Sequence, residues 1–365
     1  MKKTLLASTA LAAVGAIALA GPAYGAAHEK KSGGPIKVSV GGYMEQWFGF
    51  ADSDDNINPG DDGFDQQTDA EIHFKGETTL DNGLTFGINV QLEAQTQGGD
   101  QIDEQFAYVE GSFGRINLGS ENSASYLMHY GIPSFGVGTD SGDHDNWIAG
   151  FDFTGARTNG RGPDNDSEKL TYFTPRFMGF QVGASYVPEI AQDADAFDNS
   201  SAAGFGPPSS RVNDGERDNS FAVAANFNRS FEDFKIQASA GYQDFGDDNA
   251  VAGDLESFQF GLRLGFAGFT AAGTYGQEDR APGNTQETIG LGLTYAAGPF
   301  GVSLNYIGSD QDTQAEQDAF ELGARYKLGP GIEARGSLLY AEGDNAAGAQ
   351  IAEGFAVVGG LKLGF

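Results

Sequence analysis

The last fifteen residues of the chain, Ile351 to Phe365, read IAEGFAVVGGLKLGF. Every second residue from Ile351 gives Ile, Glu, Phe, Val, Gly, Leu, Leu and Phe, whereas the residues between them are Ala, Gly, Ala, Val, Gly, Lys and Gly. Large apolar side chains at a period of two indicate a strand with one apolar and one polar face. The segment therefore predicts a two-faced strand whose apolar face ends on Phe365.

The same alternation runs backwards through most of the chain. It is clear in four segments: Leu84 to Leu92, Phe258 to Phe266, Ile289 to Tyr295 and Leu322 to Leu328. Short turns such as Asp81-Asn82-Gly83 alternate with longer acidic connections. The pattern predicts sixteen strands, at about 36–51, 69–80, 84–97, 101–113, 115–121, 167–176, 180–188, 218–229, 234–245, 254–266, 269–278, 285–296, 300–309, 317–328, 332–342 and 351–365.

The composition of the two faces favours a membrane barrel over a soluble sandwich or solenoid. The polar face carries mainly Gly, Ser, Thr, Asn and Gln with few charges, and the apolar face repeatedly ends in Tyr or Phe. Aromatic girdles of this kind are typical of the membrane interfaces of outer-membrane barrels, and closure of the sheet satisfies every strand edge in lipid. The predicted fold is an all-β, transmembrane antiparallel up-and-down barrel of sixteen strands.

The N-terminus predicts export. Lys2 and Lys3 precede an apolar run from Leu5 to Ala20 and a small-residue site around Ala23 to Ala27. These are the features of a secretory signal peptide, here residues 1–25 with cleavage after about residues 25 to 27, and residues 26–365 form one barrel domain. No other apolar run reaches the 18 residues that a spanning helix needs.

Charge and composition exclude several classes of function. The chain has 51 acidic against 21 basic residues, so its formal net charge of -30 becomes -32 once Lys2 and Lys3 are removed. Nucleic-acid binding depends on neutralising phosphates with Lys and Arg, so nucleic acid is not an expected partner. The chain has no cysteine, which leaves no disulfide framework and no thiolate chemistry. No nucleophile stands beside a base, so neither an enzyme nor a cofactor is expected.

The segment from Asn122 to Asp166 interrupts the strand pattern. It is rich in glycine and aspartate but also carries six aromatic residues: Tyr126, Tyr130, Phe135, Trp147, Phe151 and Phe153. A loop of this length inside a compact domain is usually functional or disordered, and the aromatic content argues against disorder. We expect the aromatic side chains to pack on the inner wall of the barrel.

Together with the strand order, two stretches carry a family resemblance. They are Phe106 to Gly119 (FAYVEGSFGRINLG) and Lys169 to Val187 (KLTYFTPRFMGFQVGASYV). With the terminal Phe365 and the long segment after the fifth strand, the chain resembles the general-diffusion porins of Gram-negative outer membranes. The resemblance covers essentially all of residues 26–365. The chain differs from the family at Pro133-Ser134-Phe135, where porin loops often carry a Pro-Glu-Phe-type stretch.

The resemblance implies the location and the partners of the protein. It implies a homotrimer of sixteen-stranded barrels in the Gram-negative outer membrane, in which residues 122–166 form a constriction loop folded into the lumen opposite a basic wall. It also implies that Phe365 belongs to the signal read by the barrel assembly machinery. Outer-membrane lipid and lipopolysaccharide are further expected partners. Acidic loops either keep the outer surface soluble or bind divalent cations that bridge to lipopolysaccharide.

The candidate acidic residues of the constriction are Asp140, Asp143, Asp145 and Asp152. The first three stand within six residues, and such crowding is compatible with a pore rim, a solvated turn or a weak Ca²⁺ or Mg²⁺ site. The run lacks the spacing of an EF-hand loop.

The candidate basic residues of the wall follow from strand parity, because a charge facing lipid near the midplane costs roughly 2–4 kcal/mol. They are His73, Lys75, Lys235, Arg263, Arg325, Lys327 and Arg335. They either face the loop aspartates across the pore or pair with glutamates on neighbouring strands. The sequence thus predicts a pore for passive diffusion of small hydrophilic solutes and ions with mild cation selectivity; the alternative is a substrate-specific porin with a solute-binding lumen.

Overall fold

The computed structural model describes residues 34–53, 62–95, 101–139, 143–148, 158–190, 217–248, 255–281, 284–312, 316–345 and 347–365. The predicted signal peptide, residues 1–25, lies outside this part of the chain. No helix among the described residues is long and apolar enough to cross a membrane.

Sixteen barrel strands follow one another in chain order. They are β1 (Lys37–Ser53), β2 (Gly63–Thr79), β3 (Thr85–Glu93), β4 (Ile102–Gly111), β5 (Gly114–Ser120), β6 (Glu168–Phe173), β7 (Phe180–Glu189), β8 (Arg217–Phe231), β9 (Phe234–Asp244), β10 (Glu256–Phe266), β11 (Phe269–Ala281), β12 (Asn284–Ala297), β13 (Phe300–Gln311), β14 (Glu316–Gly329), β15 (Ile332–Asp344) and β16 (Gln350–Gly364). A two-residue strand, Asp247–Asp248, pairs with the start of β8.

Each strand pairs antiparallel with its neighbours in sequence, and β1 also pairs with β16. The sheet is therefore a closed barrel with sixteen strands, as predicted. Short turns join β2 to β3 and every second pair after it, up to β14 and β15, so the remaining connections lie at the opposite end. Strand β2 starts at Gly63, earlier than the predicted residue 69, because its first residues pair with the end of β1 at Ala51.

The two faces of the sheet are sorted as the alternation predicts. On β10, the side chain of Phe260 is 51% exposed on the outer surface, whereas Gln259 is only 2% exposed on the inner one. The apolar residues of the outer face stay largely exposed in a single chain, so lipid or a neighbouring protein must cover them. The inner face holds most of the buried polar side chains.

Candidate functional site

The 122–166 segment begins with one helical turn, α1 (Ala124–Leu127), which lies against the inner face of the barrel. The hydroxyls of Ser123 and Ser125 donate to Gln243 Oε1 on β9 at 3.0 and 2.6 Å. The backbone N–H of Ala124 donates to the Ser185 hydroxyl on β7 at 2.8 Å. Ser123 also caps the turn, since its side chain accepts from the N–H of Tyr126.

The chain then follows the inner wall across successive strands. The amide of Asn226 on β8 donates to the carbonyl of Met128 at 3.1 Å, and the N–H of Tyr130 donates to the Ser239 hydroxyl on β9 at 2.9 Å. Small polar side chains on the wall therefore satisfy backbone groups of the segment just after α1, where residues 129–139 lie in no helix or strand.

Glu321 on β14 is the central anchor of the next part. Its side chain is fully buried and accepts from the Ser134 hydroxyl at 2.7 Å and from the N–H of Gly138 at 3.0 Å. The flanking N–H groups of Phe135 and Val137 donate to hydroxyls on β13 and β15 at 3.0 and 2.8 Å. Four contacts on three strands thus hold residues 134–138 to the wall.

An apolar cluster holds the far part of the segment. Trp147 and Ile148 are 6% and 0% exposed and pack with inward-facing residues of β1 and β13 to β16, including Ile307 and Leu339. This confirms that Trp147 packs on the inner wall, as predicted. Phe151 and Phe153 lie outside the described residues.

The structure describes two of the four candidate acidic residues of the constriction. Asp143 and Asp145 lie on a single 3-10 turn, Asp143–Asn146, whereas Asp140 and Asp152 lie outside the described residues. Asp145 Oδ1 is 3.1 Å from Nε2 of His144. Burial lowers the pKa of His144 to about 4, so the imidazole is neutral near pH 7. The predicted roles of these aspartates as pore rim or metal ligands stay predictions.

Both ends of the segment meet at a buried charged cluster beside β5 and β6. Lys169 Nζ donates to the carbonyl of Ser167 at 2.7 Å and to that of Glu121. Asp164 accepts from the Ser220 hydroxyl at 3.2 Å and from Gln243. Burial raises the pKa of Glu121 to about 7 and raises that of Asp164, because each carboxyl is removed from water.

Two of the candidate wall arginines are engaged by wall carboxylates. Arg335 lies 2.9 Å from Glu333 and 3.7 Å from Glu45, and Arg325 lies 3.4 Å from Glu333. The Arg325 guanidinium also stacks 4.0 Å from the centroid of the Phe135 ring in the long segment. Pairing with wall glutamates, one of the two alternatives for these arginines, is what the structure shows. Arg325 on β14 pairs across strands with Glu333, whereas Arg335 and Glu333 lie two residues apart on β15.

The other candidate wall residues are spread around the barrel. His73 Nε2 is 2.7 Å from Glu71, and Arg263 Nε donates to the carbonyl of Gly131 in the long segment. The remaining three, Lys75, Lys235 and Lys327, are exposed near the short-turn end of their strands.

The inner edge of the segment lines an open cavity of about 510 Å³. Its lining includes Tyr126, His129, Asp143, Asn159 and Arg161, and Arg263 reaches it from the wall. The described wall also carries one set of three carboxylates, Glu71, Glu93 and Asp103, whose oxygens lie within 4.8 Å of one another.

Sequence reasoning missed the anchoring role of Glu321 and the position of Arg161. Glu321 lies on the predicted inward face of its strand, so parity placed it correctly without showing its partner. Arg161 lies in the loop, where no periodicity fixes the direction of a side chain.

Comparison with known proteins gives consistent results. The model of a family described as Gram-negative porin matches residues 7–346. A monosaccharide porin of a Halomonas species and the major outer membrane protein of Halomonas elongata are each 25% identical to the chain over 276 residues, which cover 70% of this chain and 67% of each relative.

Solved structures share the fold. An anion-selective porin from Comamonas acidovorans has a TM-score of 0.62 at 17% identity, covering 90% of this chain and 100% of that one. The trimer form of OmpT from Vibrio cholerae has a TM-score of 0.56 at 13% identity, covering 90% and 99%.

Proposed function

This chain belongs to the Gram-negative porin family, and from that premise we propose that its outer-membrane diffusion pore passes small hydrophilic solutes and ions without a catalytic step. The carrying observation is the long segment, whose backbone is hydrogen-bonded to the polar inner wall from β7 to β15. A segment held in this way narrows the lumen without sealing it, so size and polarity decide what passes.

The test is conductance and solute flux. Purified protein in a planar bilayer should give discrete conductance steps, and proteoliposomes should swell in small sugars faster than in large ones. Heat-denatured protein is the control. Native protein that inserts as a heat-modifiable barrel but gives neither conductance nor swelling would contradict the proposal.

We include mild cation selectivity in the proposal. The support is the excess of acidic residues, 51 against 21, which raises the local concentration of cations at the pore mouth. A structural neighbour is anion-selective, so the sign of the reversal potential under a salt gradient is the measurement. A potential of the anion-selective sign would refute this part alone.

The proposed assembly is a homotrimer. On the outer face at the middle of β1, the amide of Gln46 donates to the Thr68 hydroxyl at 2.9 Å and accepts from the amide of Gln66 at 3.1 Å. Polar amides are costly when they face hydrocarbon, so a neighbouring protomer is the natural cover for this patch. OmpT, a structural neighbour, is described in a trimer form. Native mass spectrometry should give three chains, and a monomer would contradict the assembly.

A second candidate is a pore with a solute-binding lumen. The observation in its favour is the cavity on the inner edge of the segment, which combines the ring of Tyr126 with hydrogen-bonding groups of Asp143, Asn159 and Arg161. One relative is described as a monosaccharide porin. Saturable block of the current by one monosaccharide, but not by its epimers, would decide for this candidate.

The remaining partners, lipopolysaccharide and the assembly machinery, are proposed only because the chain belongs to the porin family. Lipopolysaccharide contacts depend on acidic loops such as residues 54–61 and 191–216, which lie outside the described residues. Recognition by the assembly machinery is assigned to Phe365, whose side chain is 68% exposed at the end of β16.

A further inference from the structure

In the part of the chain that the structure describes, the hydrogen bonds of the long segment reach only some strands of the inner wall. The segment is bonded to β7, β8, β9, β13, β14 and β15, and it reaches β2 where the Gln67 amide donates to the carbonyl of Asn146. At its base, the Asn122 amide donates to Glu104 on β4. Strands β2, β3 and β4 lie between these two points around the barrel.

That sector is acidic. Glu71 on β2, Glu93 on β3 and Asp103 on β4 are half-buried, and each contributes an oxygen within 4.8 Å of the others. Asp69 lies one inward position from Glu71 on the same strand and interacts with it electrostatically. Like charges at this spacing create a strong local field, which Lys362 on β16 offsets in part at Glu71.

Arg161 supplies an opposite charge from the loop. Its side chain is exposed, it lines the cavity on the inner edge, and it is close enough to Glu93 to interact electrostatically. A tight turn sets its position: Gly160 has a φ of +68°, and the N–H of Arg161 donates to Asn159 Oδ1 at 3.2 Å. From this turn the exposed Arg161 side chain reaches the cavity.

The wall arginines described above are engaged elsewhere. Arg263 donates to a carbonyl of the segment and lies 5.8 Å from the centroid of the Tyr130 ring. Arg325 and Arg335 share Glu333. Their charges are therefore partly compensated by direct contacts, whereas Arg161 lines the aqueous cavity and interacts with Glu93 electrostatically.

We propose that Arg161 is a specificity-determining residue of the pore, which places positive charge on the loop opposite the carboxylate wall of Glu71, Glu93 and Asp103. This inference rests on the proposed diffusion function. Between Arg161 and this wall the transverse field points from loop to wall, the reverse of the polarity expected from acidic loop residues facing a basic wall; elsewhere on the same cavity Asp143 and Arg263 keep the expected polarity. Cations pass along β2 to β4, and anions pass along the loop rim.

Removal of the Arg161 charge should change ion selectivity in a defined direction. A unit charge about 4 Å from an ion in a water-like medium changes the population of that ion by about fivefold at low ionic strength, with opposite signs for cation and anion. Arg161→Gln should therefore raise the K⁺/Cl⁻ permeability ratio severalfold, and Glu93→Gln should lower it. Arg176→Gln is the matched control, since Arg176 is bonded to Gly179 in the short turn between β6 and β7.

The absence of cysteine from the chain allows a sharper test in one inserted channel. R161C is reconstituted, its reversal potential is recorded, and a cationic or an anionic methanethiosulfonate reagent is then added. The cationic reagent should shift the ratio toward the wild-type value and the anionic reagent should shift it further toward cations. R176C should respond to neither.

The outcomes separate this inference from the proposed function. Wild-type protein without conductance overturns the proposed function before any variant is measured. A conducting R161C channel whose selectivity ignores both reagents, or shifts no more than R176C does, overturns the role of Arg161 alone. The shifts should also shrink in 1 M KCl, where charges are screened beyond about 3 Å.

Discussion

Replacing Glu321 by alanine is expected to weaken the attachment of residues 134–138 to the barrel wall, because it removes two of their four contacts. The carboxylate is buried and accepts from the Ser134 hydroxyl at 2.7 Å and from the Gly138 N–H at 3.0 Å. Net hydrogen bonds to charged groups contribute about 1.5–3 kcal/mol each, so the two bonds together contribute about 3–6 kcal/mol to anchoring. Because about 1.4 kcal/mol corresponds to a factor of ten in an equilibrium constant, the population of channels with a detached segment should rise at least about a hundredfold.

The assay is single-channel recording, because a loop that leaves and rejoins the wall modulates the current. Glu321→Ala should show frequent brief transitions between conductance levels. Glu321→Gln should show fewer, because its amide keeps one acceptor oxygen for Gly138 or Ser134. The control is Glu342→Ala on β15, where the carboxylate is exposed and accepts from Tyr340 at 2.8 Å.

The barrel itself should survive the substitution, since Glu321 belongs to a strand that stays paired with both neighbours. Heat-modifiable mobility on an SDS gel checks this point. If Glu321→Ala inserts normally and its current is as quiet as that of Glu342→Ala, the anchoring argument is refuted.

Three other predictions concern the segment and the closure of the barrel. Glu121→Gln should flatten the pH dependence of thermal stability. In the wild type the folded-state pKa of Glu121, about 7, exceeds the ordinary value of 4.5, so the free energy of unfolding should fall by roughly 3 kcal/mol as the pH rises from 4.5 to 7. A Glu121→Gln variant with the same pH slope as the wild type would contradict this prediction. Trp147→Ala should weaken packing of the segment by about 3–5 kcal/mol, seen as current noise without loss of insertion. Deletion of Phe365 removes two backbone hydrogen bonds to Gly42 and should lower the yield of folded barrel in membranes; an unchanged yield would remove its assembly role.

Much of the barrel was predictable because each strand has only two faces. On β10 a shift of one residue would send Gln259 and Gly261 to lipid and Phe260 inward, so the hydrophobic pattern fixes the register. The observed exposures of 51% for Phe260 and 2% for Gln259 agree with that argument. The start of β2 was not predicted, because its first residues are polar and owe their strand conformation to pairing with β1.

The site was less predictable, because it depends on contacts between distant parts of the chain. Ser134 and Glu321 are 187 residues apart in sequence, and neither residue carries a local signal of the other. The alternation of the strands did place Arg325 and Arg335 on the inner wall. The structure also shows the expected pairing of both positive charges with a glutamate, Glu333. The projection of Arg161 depends on a turn at Gly160 inside an aperiodic segment.

The pairing of β1 with β16 also constrains the order in which the protein folds. Glu45 and Lys362, which meet across this seam, are 317 residues apart in sequence. Every other neighbouring pair of strands is consecutive, so hairpins can form as soon as their residues are available, but the seam must wait for the end of the chain. Until then the growing sheet has two unpaired edges, which readily pair with other chains. Closure is thus an intramolecular step that competes with concentration-dependent pairing of these two edges with other chains, so a high concentration of unfinished barrels favours aggregation.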